Sequence, residues 1–150
     1  MKQKDDFRVD GSGLIRRRKI MAWTDEIHFD EEGLVPVIVQ DAKTERVLMF
    51  GWANREALER TVATGKGVYF SKSRGQVWVK GASSGNEQHV VGMQLDVSGE
   101  AVIYRVEQVG GVACHTGHVS TFWRELHSGG WVESEPVIRD PQEMYHQSSL

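Results

Sequence analysis

QHVVGMQLDVSGEAVIYRVEQV, residues 88–109, decides the fold. Two β-rich runs, 88–97 and 100–109, flank Ser98-Gly99, and that dipeptide supplies the reversal of a long hairpin. Working outward, LVPVIVQD (34–41) is a further β-rich run. Pro36 stands near its start, which favours an edge or initial position because proline donates no ladder hydrogen bond. DAKTER (41–46) reads as a turn and RVLMFGW (46–52) as the returning strand. NREALERTVAT (54–64) predicts a helix: Asn54 is a good N-cap, Leu58, Thr61 and Val62 share a face with Ala57 beside them, and Gly65 takes the stop position. GVYFSKS (67–73) and QVWVKG (76–81) are strand-like and meet at Arg74-Gly75, and SSGNE (83–87) is a polar loop. GGVACHTGHVST (110–121) is a loop of small residues and histidine, and TFWREL (121–126) is a short final strand.

Five or six antiparallel strands with one clear helix predict an α+β fold, a single domain dominated by an antiparallel sheet with one main helix. The expected division is an N-terminal arm over 1–28, a domain over 29–128 and an extended tail over 129–150 carrying Pro136 and Pro141. A net charge of -3 lacks the basic excess that a nucleic-acid polymer attracts. The chain has no apolar run long enough to predict a membrane span. The charged start, with its Arg16-Arg17-Arg18-Lys19 cluster, is unlike a secretory leader. Cys114 is the single cysteine, so an intramolecular disulfide is excluded and the cytoplasm is the expected compartment.

Three clusters carry chemistry. In Cys114-His115-Thr116-Gly117-His118, a thiol and two imidazoles lie within five residues. All three can ligate zinc or a similar metal, although a buried cysteine is as often a small apolar residue. Asp96 and Glu100 flank Ser98-Gly99, where oxygen ligands would suit magnesium and where polar residues also serve any β-turn. Ser71-Lys72-Ser73-Arg74-Gly75, with Trp78, Lys80-Gly81 and Ser83-Ser84-Gly85-Asn86, sets cations, hydroxyls and glycines in adjacent loops. Such loops can cradle a phosphate with Trp78 stacked on a base, or form a solvated hairpin over a core tryptophan.

Taken together, FDEEGLVPVIVQD (29–41), VLMFGWANREALERTVATG (47–65), YFSKSRGQVWVKG (69–81), SSGNEQHV (83–90) and ACHTG (113–117) resemble the phosphoribosyl-AMP cyclohydrolase family. The order and spacing of these blocks are more specific than any one motif, and RDPQEMY (139–145) is similar to the end of some members. The resemblance implies hydrolytic opening of the purine six-membered ring of N1-phosphoribosyl-AMP, a step of histidine biosynthesis. It further implies a homodimer with active sites shared between chains, and the use of zinc and magnesium. Substrate contacts are then expected from Ser71, Lys72, Arg74, Trp78, Lys80, Ser84, Asn86 and Thr116, with His115 and Cys114 as the catalytic pair.

The chain departs from the family at its metals. The Asp-Cys-Asp-x-Asp segment of the family reads Asp96-Val97-Ser98-Gly99-Glu100, and the Cys-His-Thr-Gly-x-x-Ser-Cys segment ends in Thr121. Of three zinc thiolates one remains. The expected metal set is Cys114, His118, Asp96 and Glu100. Exchanging thiolate for imidazole or carboxylate would move preference from zinc toward iron or manganese, with magnesium at an oxygen-lined site. Two other readings stand beside this one: a hydrolase of a different nucleotide or heterocycle on the same scaffold, and a non-catalytic nucleotide-binding protein.

Overall fold

A computed structural model describes residues 7–9, 15–17 and 22–146. In chain order it comprises β1 (Phe7–Val9), β2 (Ile15–Arg17), β3 (Val35–Asp41), β4 (Val47–Ala53), α1 (Arg55–Thr64), β5 (Val68–Ser71), β6 (Gln76–Val79), β7 (Gln88–Leu95), β8 (Val102–Gln108), β9 (Arg124–His127), β10 (Gly130–Glu133) and α2 (Pro141–His146). The principal sheet has the order β4-β3-β8-β7, and β5-β6, β9-β10 and β1-β2 form separate two-stranded ribbons. The molecule is therefore α+β, sheet-dominated, with one main helix.

The opening hairpin forms as expected, with a shorter body. Pairing runs from Gln88↔Gln108 to Leu95↔Val102, and residues 96–101 make the turn, closed by Asp96 N–H to Ala101 C=O at 2.9 Å and Gly99 N–H to Asp96 C=O at 2.8 Å. Gly99 has φ +74°, and a Cβ there would stand 2.8 Å from the Glu26 carbonyl oxygen, so both conformation and space demand glycine. Strand β3 lies inside the sheet, not at its edge. It pairs antiparallel with β4 and parallel with β8, the one parallel contact in a sheet expected to be wholly antiparallel. Pro36 is tolerated because the β8 ladder begins only at Val37↔Val102.

Alternation then builds the core. Val35, Val37 and Val39 of β3 and Val102, Tyr104 and Val106 of β8 are buried, packed against Leu48, Met49, Leu58, Val68 and Tyr69. Asn54 caps α1 by accepting the Ala57 N–H at 2.8 Å, and Gly65 closes it at φ +72°. The helix buries Ala57, Leu58 and Thr61, whereas Val62, expected on the same face, is 59% exposed because it lies just off the stripe that meets the sheet.

Both ends differ from expectation. The N-terminal arm contains β1 and β2, paired from Phe7↔Arg17 to Val9↔Ile15. Arg18 and Lys19 of the basic cluster lie outside the described residues. The expected extended tail is folded in two places. Its first residues pair as β10 with β9, because Ser128-Gly129 supplies two consecutive positive-φ residues for a reversal. After Pro141, α2 inserts Met144, which is buried.

Candidate active site

The loop after β8 is shaped by its backbone. Ala113 N–H donates to Val119 C=O at 3.0 Å, Cys114 N–H to His118 C=O at 3.3 Å, and Gly117 N–H to Cys114 C=O at 3.0 Å, so residues 113–119 fold back on themselves. Gly117 sits at φ +87°, and a Cβ on it would fall 1.9 Å from the Arg139 carbonyl oxygen. Ser120 Oγ and Thr121 N–H fasten the outgoing chain to β4, donating to the Val47 and Leu48 carbonyls at 2.8 Å each.

Inside this fold lies a connected row of side chains. The Thr116 hydroxyl lies 2.9 Å from Cys114 Sγ and 2.7 Å from His118 Nδ1, and His118 Nε2 lies 2.9 Å from Glu133 Oε1. The His118 ring stacks on Trp123 at a centroid distance of 4.1 Å and an interplanar angle of 3°. Cys114 and His118 are buried, while His115 points out and is exposed. Neither Glu133 nor Trp123 was legible as a partner of His118. Glu133 is fifteen residues along, and the β9–β10 hairpin alone returns it to the loop.

The expected phosphate cradle divides in two. Ser71, Ser73, Arg74 and Trp78 line a hollow of about 300 Å³. Trp78 leans on Tyr69 at 5.1 Å between ring centroids, which fixes its indole at the hollow's wall. Arg74 is exposed, and among the described residues no acid pairs with its guanidinium. Lys72 lies over the Trp52 ring at 3.7 Å and 3.9 Å from Glu32, so its charge is partly engaged.

Lys80 and Asn86 depart from the expected contacts. Lys80 Nζ donates to the Ala113 carbonyl at 2.5 Å. Burial lowers the Lys80 pKa, and the neighbouring Cys114 opposes that shift. Its ammonium is thus a strut under the loop and does not reach into the open hollow. Asn86 is buried and spends its amide on Arg139 Nη1 at 2.9 Å and Met144 Sδ at 3.2 Å. Ser84 Oγ accepts the Asn86 N–H at 3.2 Å and stays partly accessible.

The expected metal donors do not converge. Among the described residues no three His, Cys, Asp or Glu side chains come together to hold an ion. Asp96 Oδ2 accepts from the Ser98 hydroxyl at 2.5 Å and from its N–H at 3.0 Å, and these bonds lower the Asp96 pKa. Its carboxylate closes the hairpin turn. Glu100 is exposed beyond it, and Val97 is fully exposed. The two ring nitrogens of His118 are both taken. These residues, as the chain arranges them, do not fit a divalent cation.

The hollow thus offers an exposed guanidinium and an indole wall, and Lys80 at the far end of β6 links the same hairpin to the Cys-His-Thr loop. The family model for phosphoribosyl-AMP cyclohydrolase matches residues 49–123. A Burkholderia cenocepacia protein named phosphoribosyl-AMP cyclohydrolase is 48% identical over 132 residues, covering 85% of this chain and 96% of the relative. Proteins of the same name from Azoarcus sp. and Azotobacter chroococcum are 51% and 48% identical over 124 residues each, covering 82% and 83% of this chain and 95% and 93% of theirs. The chain belongs to the phosphoribosyl-AMP cyclohydrolase family, and is a cyclohydrolase acting on a cyclic amidine. Among the described residues no helix is long and apolar enough to cross a membrane.

Proposed function

We propose that this protein opens the six-membered ring of N1-phosphoribosyl-AMP by adding water at C6, with the loop 113–119 as the reaction site and the neighbouring hollow as the phosphate site. The observation that carries the proposal is about half identity over more than four fifths of the chain to proteins bearing that activity's name. The chemistry suits the substrate. A substituent on N1 makes the ring electron-poor and C6 electrophilic. Water adds at C6 and gives up both protons as the C6–N1 bond breaks: one, carried by a base, ends on N1 and the other on the exocyclic nitrogen, so that C6 ends as a carboxamide.

His115 is the group we assign to that proton transfer. It is exposed at the loop's turn, and an imidazole can both accept and donate a proton. Cys114 and Thr116 form the floor beneath it. Arg74 and Lys72, with the Ser71 and Ser84 hydroxyls, take the substrate's phosphates, and Trp78 takes a ring face. The protein acts in the cytoplasm as a homodimer with sites completed between chains. Favouring the dimer is an apolar hollow of about 370 Å³ lined by Trp23, Ile27, Val62, Met93, Leu95 and Val102, with Trp23, Val62 and Leu95 exposed on its rim.

The test is turnover of N1-phosphoribosyl-AMP by the purified chain, together with growth of a histidine auxotroph lacking its own cyclohydrolase and carrying this gene. Turnover with complementation is expected. A folded protein that binds nucleoside phosphates and does neither would overturn the assignment. Sedimentation at micromolar concentration checks the dimer, and a monomer there removes it.

A further inference from the structure

We infer that Glu133 is a positioning residue for the active-site loop, and that the clamp Glu133–His118–Thr116–Cys114 stands in place of a metal ion there. The inference rests on the loop being the cyclohydrolase site. Its starting point is the disagreement between the implied metal and the donors present. A thiol, a hydroxyl, an imidazole and a carboxylate lie in one row, each within 2.9 Å of the next. None of the row's contacts leaves a nitrogen of His118 free for a cation.

The geometry around the row explains why it holds. His118 is sealed from water, its side chain 4% exposed, whereas that of Glu133 is 53% exposed. The imidazole is held by Trp123 on one face and by a hydrogen bond at each nitrogen, so its plane and rotation are both fixed. Glu133 is fixed in turn. It ends β10 opposite Arg124, and the next residue, Ser134, fastens to the Trp123 carbonyl through its N–H at 2.8 Å and its hydroxyl at 2.9 Å. The hairpin therefore delivers one carboxylate to one buried imidazole, and the order passes through Thr116 to Cys114. From the other side Lys80 holds the Ala113 carbonyl. A loop tied at both flanks has no need of an ion to set its shape, and this places His115 reproducibly above it.

The experiment uses the full chain, purified without chelators. Elemental analysis is expected to find metal well below one per chain, and the melting temperature is expected to be the same with and without EDTA. Glu133→Ala is expected to lower kcat on N1-phosphoribosyl-AMP about tenfold, the scale of a lost charge-assisted hydrogen bond, with KM little changed. Glu133→Gln, whose amide oxygen still accepts from Nε2–H, should restore most of it. A purely structural role would lower melting temperature in both variants without this recovery of kcat. Stoichiometric metal that is lost in His118→Ala, a melting temperature that drops in EDTA, or a Glu133→Ala variant indistinguishable from wild type would each overturn the inference. If the wild type turns over no N1-phosphoribosyl-AMP, the functional assignment fails, while the metal and melting measurements still decide the clamp.

Discussion

Arg74 and Lys80 are cations on either side of the same short strand, and burial gives them opposite uses. Arg74 stands at the tip of the β5–β6 turn with its guanidinium in water, where it can meet a phosphate. Arg74→Ala should weaken binding of nucleoside monophosphates by about tenfold or more, since contacts of this kind contribute roughly 1.5–3 kcal/mol. Calorimetry checks it, and unchanged affinity would remove Arg74 from the phosphate site. Lys80→Met should keep that affinity while slowing turnover, because its ammonium supports the Ala113 carbonyl and not the ligand. Gly117→Ala is expected to be more damaging than either. Its Cβ would collide with the backbone of Arg139, which cannot swing aside as a side chain could, and φ +87° adds strain. Denaturant unfolding should show a loss of about 2 kcal/mol or more.

At the scale of elements, the turn between β3 and β4 shows what a local motif contributes. Asp41 Oδ1 accepts the Lys43 and Thr44 N–H groups at 2.9 and 2.8 Å, and the Thr44 bond is the chief reason its pKa is lowered. Asp41→Ala should cost about 1 kcal/mol, seen as a lower urea midpoint at pH 7. Because the folded pKa lies below the ordinary value of 3.8, this contribution is present above that pH and fades on acidification, so mutant and wild type should converge in strong acid. Elements with local signals of this sort were legible in the sequence. The α1 cap and stop, the 88–109 hairpin and the β5–β6 turn each follow from a few adjacent residues. The parallel β3–β8 contact was not legible, because nothing local to 35–41 names a partner more than sixty residues away. Nor was the Glu133 contact to His118, which depends on a hairpin whose strands are exposed along their length and carry little core pattern.

The molecule as a whole holds two buried phenols beside its main helix. Tyr69 donates to Gln88 Oε1, and Tyr104 donates to the Val68 carbonyl at 3.2 Å. Burial raises the pKa of Tyr69 well above the ordinary 10.0 and that of Tyr104 to about 12. A raised folded pKa stabilises the fold fully below the unfolded value and loses that effect as pH climbs through the folded one. Stability should therefore fall between pH 10 and about 12, by as much as ~3 kcal/mol from Tyr104 alone. Lys80 works against this, since its lowered pKa makes burial easier as pH rises, but it is one group against two. Urea titrations at pH 8.5 and 11 should show the midpoint falling, and a midpoint that holds would contradict the assignment.

The segment after β10 has a consequence for how the protein is made. The Ile138 N–H donates to the Gly117 carbonyl at 2.9 Å, Arg139 reaches Asn86, and Met144 is buried behind it. These residues leave the ribosome after every strand of the main sheet. A nascent chain can thus complete its sheet while loop 113–119 still lacks the outer wall that a later-synthesised turn supplies. A premature stop codon just before Val137 would leave a folded product whose loop keeps its ties to Lys80 and Glu133 but loses those at Gly117, so gene truncations there should behave as losses of activity and not of abundance.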